Sequence, residues 1–221
     1  MLHSYLPAAL LAAGLAVPLS ASAFEACDGY ARDLSAMATA DQALRTRIDH
    51  LDPESPAQRK LRSHVTLVDR SNTERLKTWI ARCGWPSRKQ YGDQAAGDAW
   101  LLAQHADHDL AFQKRALVLI ERDAEESGKG IDQEFALLAD RVAVAEKRPQ
   151  RYGTQLAFGA NGCDLDFFPM EDRAQVEARR AQLKLPSLEA YKRLVLEMQH
   201  CPVPPQHPSD YHYAPPAGQG K

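Results

Sequence analysis

Residues Trp100–Asp109, WLLAQHADHD, place His105, Asp107, His108 and Asp109 within five positions. On a helix, His105 and His108 stand three apart and His105 and Asp109 four apart, so their side chains could share a face. That spacing can bring two ligands to one metal ion, or set a histidine beside a carboxylate for acid–base work. The residue after His105 is Ala106, which excludes the His-Glu-x-x-His pattern of metalloproteases. Asp107 or Asp109 can instead cap the helix that follows, and a histidine at a helix C-terminus is favoured by the dipole when protonated. His108 and Asp109 are therefore expected on the solvated surface, which leaves His105 and Asp107 as the pair of interest.

A second constellation lies in ADRVAVAEKRPQRYGTQ, residues 139–155. Asp140 could be a partly buried carboxylate, and Arg141 could clamp an anion or pair with a carboxylate. Gln150, Arg151, Tyr152, Thr154 and Gln155 then crowd hydrogen-bonding groups into one joint, where Gly153 permits a tight turn or the close approach of a ligand. The competing reading is a polar joint that satisfies loop backbone. In VDRSNT, Asp69 and Asn72 read as local capping groups. No Gly-x-Ser-x-Gly, Gly-x-Gly-x-x-Gly or P-loop pattern occurs, and no cofactor is expected.

The elements that must position these residues read as helices. Leu34, Met37, Leu44, Ile48 and Leu51 give one helix with a possible break near Thr39 and Asp41. A second run spans about 56–68, with Ser55 or Asp52 as its cap. A third starts at Ser71, Asn72 or Thr73 and stops at Gly84 and Pro86. Further helices are expected over about 94–105, 110–127, and from Phe135 to before Pro149. Ala160-Asn161-Gly162 is the strongest hairpin signal in the chain, with strands over 154–158 and 163–168, so the hairpin occupies about 153–169. Helices over 172–183 and 187–200 complete a mainly α domain with one β-hairpin. Six prolines in the twenty residues after Cys201 suit an extended or disordered tail over 202–221.

The chain has 221 residues and a formal net charge of −2. One domain, 24–201, is expected, without the basic face that nucleic acid requires. The apolar run from Leu6 to Leu19, followed by Ser-Ala-Ser-Ala, reads as a signal peptide over 1–23. Cleavage would precede Phe24, leaving an exported, periplasmic or secreted protein with no membrane span. The n-region has no Lys or Arg; the alternative is an uncleaved anchor. All four cysteines, Cys27, Cys83, Cys163 and Cys201, lie beyond that point, which suggests two disulfides. Of three connectivities, Cys27–Cys83 with Cys163–Cys201 closes the shortest loops. No Cys-x-x-Cys pair supports a zinc–thiolate site.

Taken in order, DRSNTERLKTWIARCGWP, AAGDAWLLAQHADHDLAFQ, LADRVAVAEKRPQRYGTQ and FPMEDRAQVEARRAQLKLPSLEAY resemble a bacterial family known only as a domain of unknown function. Its signature runs D-x-x-N-T, G-W-P, A-W-L-x-x-Q-H-A-D-x-D, F-Q, D-R-V, P-Q-x-Y-G-T-Q and P-x-E-D. The resemblance brings no activity, but its signature is rich in polar residues, and each buried polar group needs a partner. It therefore points to a shared polar pocket where the His105 turn meets the 150–155 joint, and places His108 at a variable position. In an enzyme, His105 would be general base or acid, oriented by Asp107 or Asp140. Arg141 and Tyr152 would stabilise negative charge, and Gln150 and Gln155 would position substrate. That set suits a hydrolase acting on a small polar or cell-envelope substrate. The alternatives are a non-catalytic ligand-binding or protein-interaction module, or a purely structural polar network. One histidine with Asp107 and Asp140 makes a poor zinc set, so no metal is expected.

Overall fold

A computed structural model describes residues 27–49, 52, 54–159 and 163–203. The expected leader 1–23, the turn Ala160-Asn161-Gly162 and the tail from Pro204 onward lie outside these residues. The described residues form seven helices and one two-stranded antiparallel sheet: α1 (Tyr30–Arg45), α2 (Pro56–Cys83), α3 (Arg88–Gln104), α4 (Leu110–Ser127), α5 (Gln133–Ala145), β1 (Leu156–Phe158), β2 (Leu165–Phe167), α6 (Arg173–Gln182) and α7 (Leu188–Met198). The mainly α class with one hairpin is thus observed, with Leu156 opposite Phe167 and Phe158 opposite Leu165.

Two expected breaks are absent. Helix α1 runs unbroken through Asp41. Helix α2 is a single 28-residue helix capped by Ser55, whose side chain accepts from Gln58 N. Ser71, Asn72 and Thr73 are therefore interior residues of α2, not caps, and the Thr73 hydroxyl donates back to Asp69 O. Tertiary burial explains the difference, because Asn72 and Thr73 face the core and packing outweighs their preference for helix ends. The stop at Gly84 is as expected, with φ +77°.

Helix α3 is central and packs against α1, α2, α4 and α5. Ala95, Ala96, Ala99 and Ala103 are all buried along it, since small side chains let several helices approach one axis. Phe112, Ile120, Phe135, Leu138 and Val142 from α4 and α5 close the core on one side, and Tyr30, Leu34, Met37 and Leu76 close it on the other. The Cys27–Cys83 disulfide ties the start of α1 to the end of α2, and Cys163–Cys201 ties the hairpin to the end of α7. Closing loops of 56 and 38 residues stabilises the fold by about 4 kcal/mol each in a chain-entropy account.

The joint 149–155 is held from both sides. Asp140, fully buried on α5, accepts from the backbone N–H groups of Arg151 (2.8 Å), Tyr152 (3.1 Å) and Thr154 (2.9 Å), and from the Thr154 hydroxyl. Arg180 of α6, 1 % exposed, donates to the carbonyls of Tyr152 (2.6 Å), Gly153 (3.0 Å) and Pro186 (2.7 Å). Gln150 spans the joint, accepting from Gln155 N and donating to the carbonyls of Gln155 and Phe168. Burial raises the Asp140 carboxyl above the ordinary range, against the opposing pull of those amide donors.

Gly153 has φ +62°, and a Cβ there would sit 2.5 Å from Leu188 Cδ2. The close approach this glycine permits is to a neighbouring helix. Two outcomes follow for unfolding in urea. Asp140→Asn turns amide protons towards a donor and lowers stability by about 3 kcal/mol. Gly153→Ala lowers it by about 1–3 kcal/mol through strain and overpacking.

Candidate functional site

The end of α3 is where the chemistry gathers, and it faces two ways. Gln104 is the last residue of the helix and His105 its C-cap. Successive residues on a helix point about 100° apart, so neighbours can serve different surroundings. Gln113 of α4 secures the turn by donating to the carbonyls of Ala103 and Gln104 and to Asp107 Oδ1. Asp109 caps α4 by accepting from Phe112 N at 2.9 Å. His108 is exposed, as expected of a surface position.

On one side, His105 Nδ1 lies 3.0 Å from Asp41 Oδ2. Asp41 comes from α1, and its side chain is 1 % exposed. Arg45, one turn further along α1, bonds Asp41 (Nε–Oδ1 3.1 Å) and reaches Asp69 of α2 (Nη2–Oδ1 2.5 Å). Ligand atoms of Asp41, Asp69 and His105 all lie within 4.8 Å of one another. Burial pushes the Asp41 carboxyl up, but contact with His105 and Arg45 outweighs it and brings it down to about 2. At Asp69 burial prevails, and the carboxyl stands above its ordinary value despite Arg45.

On the other side is a cleft of about 480 Å³. Gln104, Asp107, Arg141, Thr154 and Gln155 form its polar part, and Leu137, Leu156, Phe158, Phe168 and Val195 its apolar part. Arg141 Nη1 pairs with both oxygens of Asp107, at 3.0 and 2.9 Å. Gln155 Nε2 donates to Leu137 O and the Thr154 hydroxyl. Tyr191 of α7 reaches the Thr154 carbonyl at 3.0 Å. Two polar groups at this wall are buried without a hydrogen-bond partner, Gln104 Oε1 and Arg141 Nε.

The residues expected to share one pocket are thus distributed over three places. Asp107, Arg141 and Gln155 line the cleft. Gln150 and Tyr152 lie in the joint that supports it and Asp140 holds that joint from α5, with Tyr152 part of the hydrophobic core. His105 stands on the opposite side against Asp41; neither Asp107, which pairs with Arg141, nor Asp140, which holds the joint, orients it. Asp41, Arg45 and Tyr191 were missed from the sequence. Asp41 did carry a signal, because it continues the buried stripe Leu34, Met37, Ala38 at helical spacing. A charge on an apolar stripe needs a partner from elsewhere in the fold.

The cap at Asp109 gives a pH-dependent outcome. The Phe112 amide, together with Lys77 at 3.1 Å, holds its carboxyl below the usual range. A lowered folded-state value contributes stability above the ordinary carboxylate range that is lost as pH falls through the folded value. Asp109→Ala should cost about 1 kcal/mol at neutral pH, and the difference from the parent should shrink in acid, as read by thermal unfolding between neutral and strongly acidic pH.

No curated protein and no solved structure matches the chain. A family model does match residues 29–201, which takes in every helix and both strands of the described residues and both faces of the α3 terminus. The chain belongs to a family of unknown function (DUF6624).

Proposed function

We propose that the chain is an exported ligand-binding module whose cleft takes a small amphipathic molecule with a polar, hydrogen-bonding head. The supporting observation is the composition of that cleft. Its polar end combines the Arg141–Asp107 pair with the Gln104 and Gln155 amides, and apolar side chains including Phe158 and Phe168 line the rest. A volume of about 480 Å³ is in the range of small-molecule sites, which pair apolar walls with a few placed polar groups. Asp107 is exposed and bound to Arg141, an arrangement suited to recognition more than to proton transfer. Two disulfides, and the absence among the described residues of any helix long and apolar enough to cross a membrane, accord with export.

A hydrolase is the second reading, favoured by the 3.0 Å contact between His105 and the buried Asp41. Asp41 would then orient His105 as general base, in place of Asp107 or Asp140. Soluble peptidoglycan fragments, which carry carboxylates, amides and apolar groups together, separate the two. A binding module shows ligand-induced NMR shifts at Phe158 and Phe168 and forms no product. Arg141→Ala weakens binding roughly tenfold, about 1.4 kcal/mol, while His105→Ala leaves it unchanged. Product formation that His105→Ala abolishes would establish the hydrolase instead.

A further inference from the structure

The other face of the α3 terminus leads to a separate inference, independent of the cleft. We infer that Asp41, Asp69 and His105 bind one divalent cation of the manganese class, with water completing the coordination.

Three helices supply the ligands: α1 gives Asp41, α2 gives Asp69, and the cap of α3 gives His105. Their ligand atoms lie within 4.8 Å of one another, so a point exists within roughly 2.8 Å of all three. Contraction by about half an ångström or somewhat more reaches the bond lengths of first-row divalent ions, ~2.0–2.2 Å. The Nδ1–Oδ2 separation of 3.0 Å already matches two neighbouring corners of an octahedron with bonds of about 2.1 Å.

The unpartnered atoms point the same way. His105 Nδ1 is buried and, despite its distance from Asp41, makes no hydrogen bond of acceptable direction. An imidazole nitrogen and a carboxylate oxygen this close repel unless a proton or a cation lies between them. Asn72 follows Asp69 by three residues on the same helix face; it is 7 % exposed and its amide nitrogen, a donor that would bond a coordinated water and not the cation itself, has no partner.

Arg45 is the competitor. Its guanidinium bonds both carboxylates, but a quarter of its side chain is exposed at the end of α1, so it can turn into solvent. Two carboxylates and a neutral imidazole then balance a divalent charge. Two hard oxygens and one nitrogen suit Mn²⁺ better than a zinc site rich in histidine or thiolate.

The test uses untagged, disulfide-intact mature protein, stripped with chelator, dialysed and titrated with Mn²⁺ while free Mn²⁺ is followed by EPR. One Mn²⁺ per chain is expected, with binding weakened at least tenfold in Asp69→Asn and in His105→Gln and unaffected in His108→Gln. Arg45→Met keeps all three ligands and should tighten binding severalfold, which covers the case of a ligand variant that folds poorly. No binding by folded parent protein at millimolar Mn²⁺ would overturn the inference. So would a stoichiometry and affinity indifferent to Asp69→Asn, His105→Gln and Arg45→Met.

Discussion

The described hairpin strands and the helices α6 and α7 depend on one buried carboxylate. Asp140 is withdrawn from water, and its two oxygens gather three backbone amides and a hydroxyl from the segment 151–154. An isolated carboxylate in such surroundings would be costly, and the converging donors offset that cost. The same contacts fix the direction in which the chain leaves the helices, so the hairpin and the last two helices are oriented by them. Arg180 completes the arrangement by taking the carbonyls that Asp140 cannot. With amides satisfied from one side and carbonyls from the other, a polar segment can lie buried without belonging to a helix or strand.

That joint also explains the cleft. Thr154 and Gln155 reach its wall because the preceding residues are immobilised against Asp140, Arg180 and Gln150, and Tyr191 adds a contact from α7. Across the cleft stands the end of α3, whose final carbonyls are secured by Gln113. At that end Gln104 faces the cleft and His105 faces α1 and α2. Neighbours in sequence therefore meet separate surroundings, a result of helical geometry at a terminus crowded by other helices.

Much of the architecture was legible in the sequence because it rests on local rules. The stripe Phe135, Leu138, Val142, the caps Ser55 and Asp109, and the stop at Gly84 each act within a few residues, and the structure places them accordingly. The pairing that closes the shortest cysteine loops is also the one observed. Local reading misled where a polar residue sat on a buried face. Asn72 and Thr73 looked like caps and are interior residues of α2; Asp41 looked like a break and stands within α1, 3.0 Å from His105.

The sequence by itself determined the class of fold, the polar inventory and the segments in which it is concentrated, because propensity, periodicity and capping act over short spans. Tertiary structure alone decided which polar groups meet. His105 meets Asp41 across 64 positions of sequence, and Arg180 meets the Tyr152 carbonyl across 28. Such partnerships are set by how α1, α2 and α6 dock against their neighbours. A charge on one helix does not reveal its partner on another until burial forces each to be satisfied.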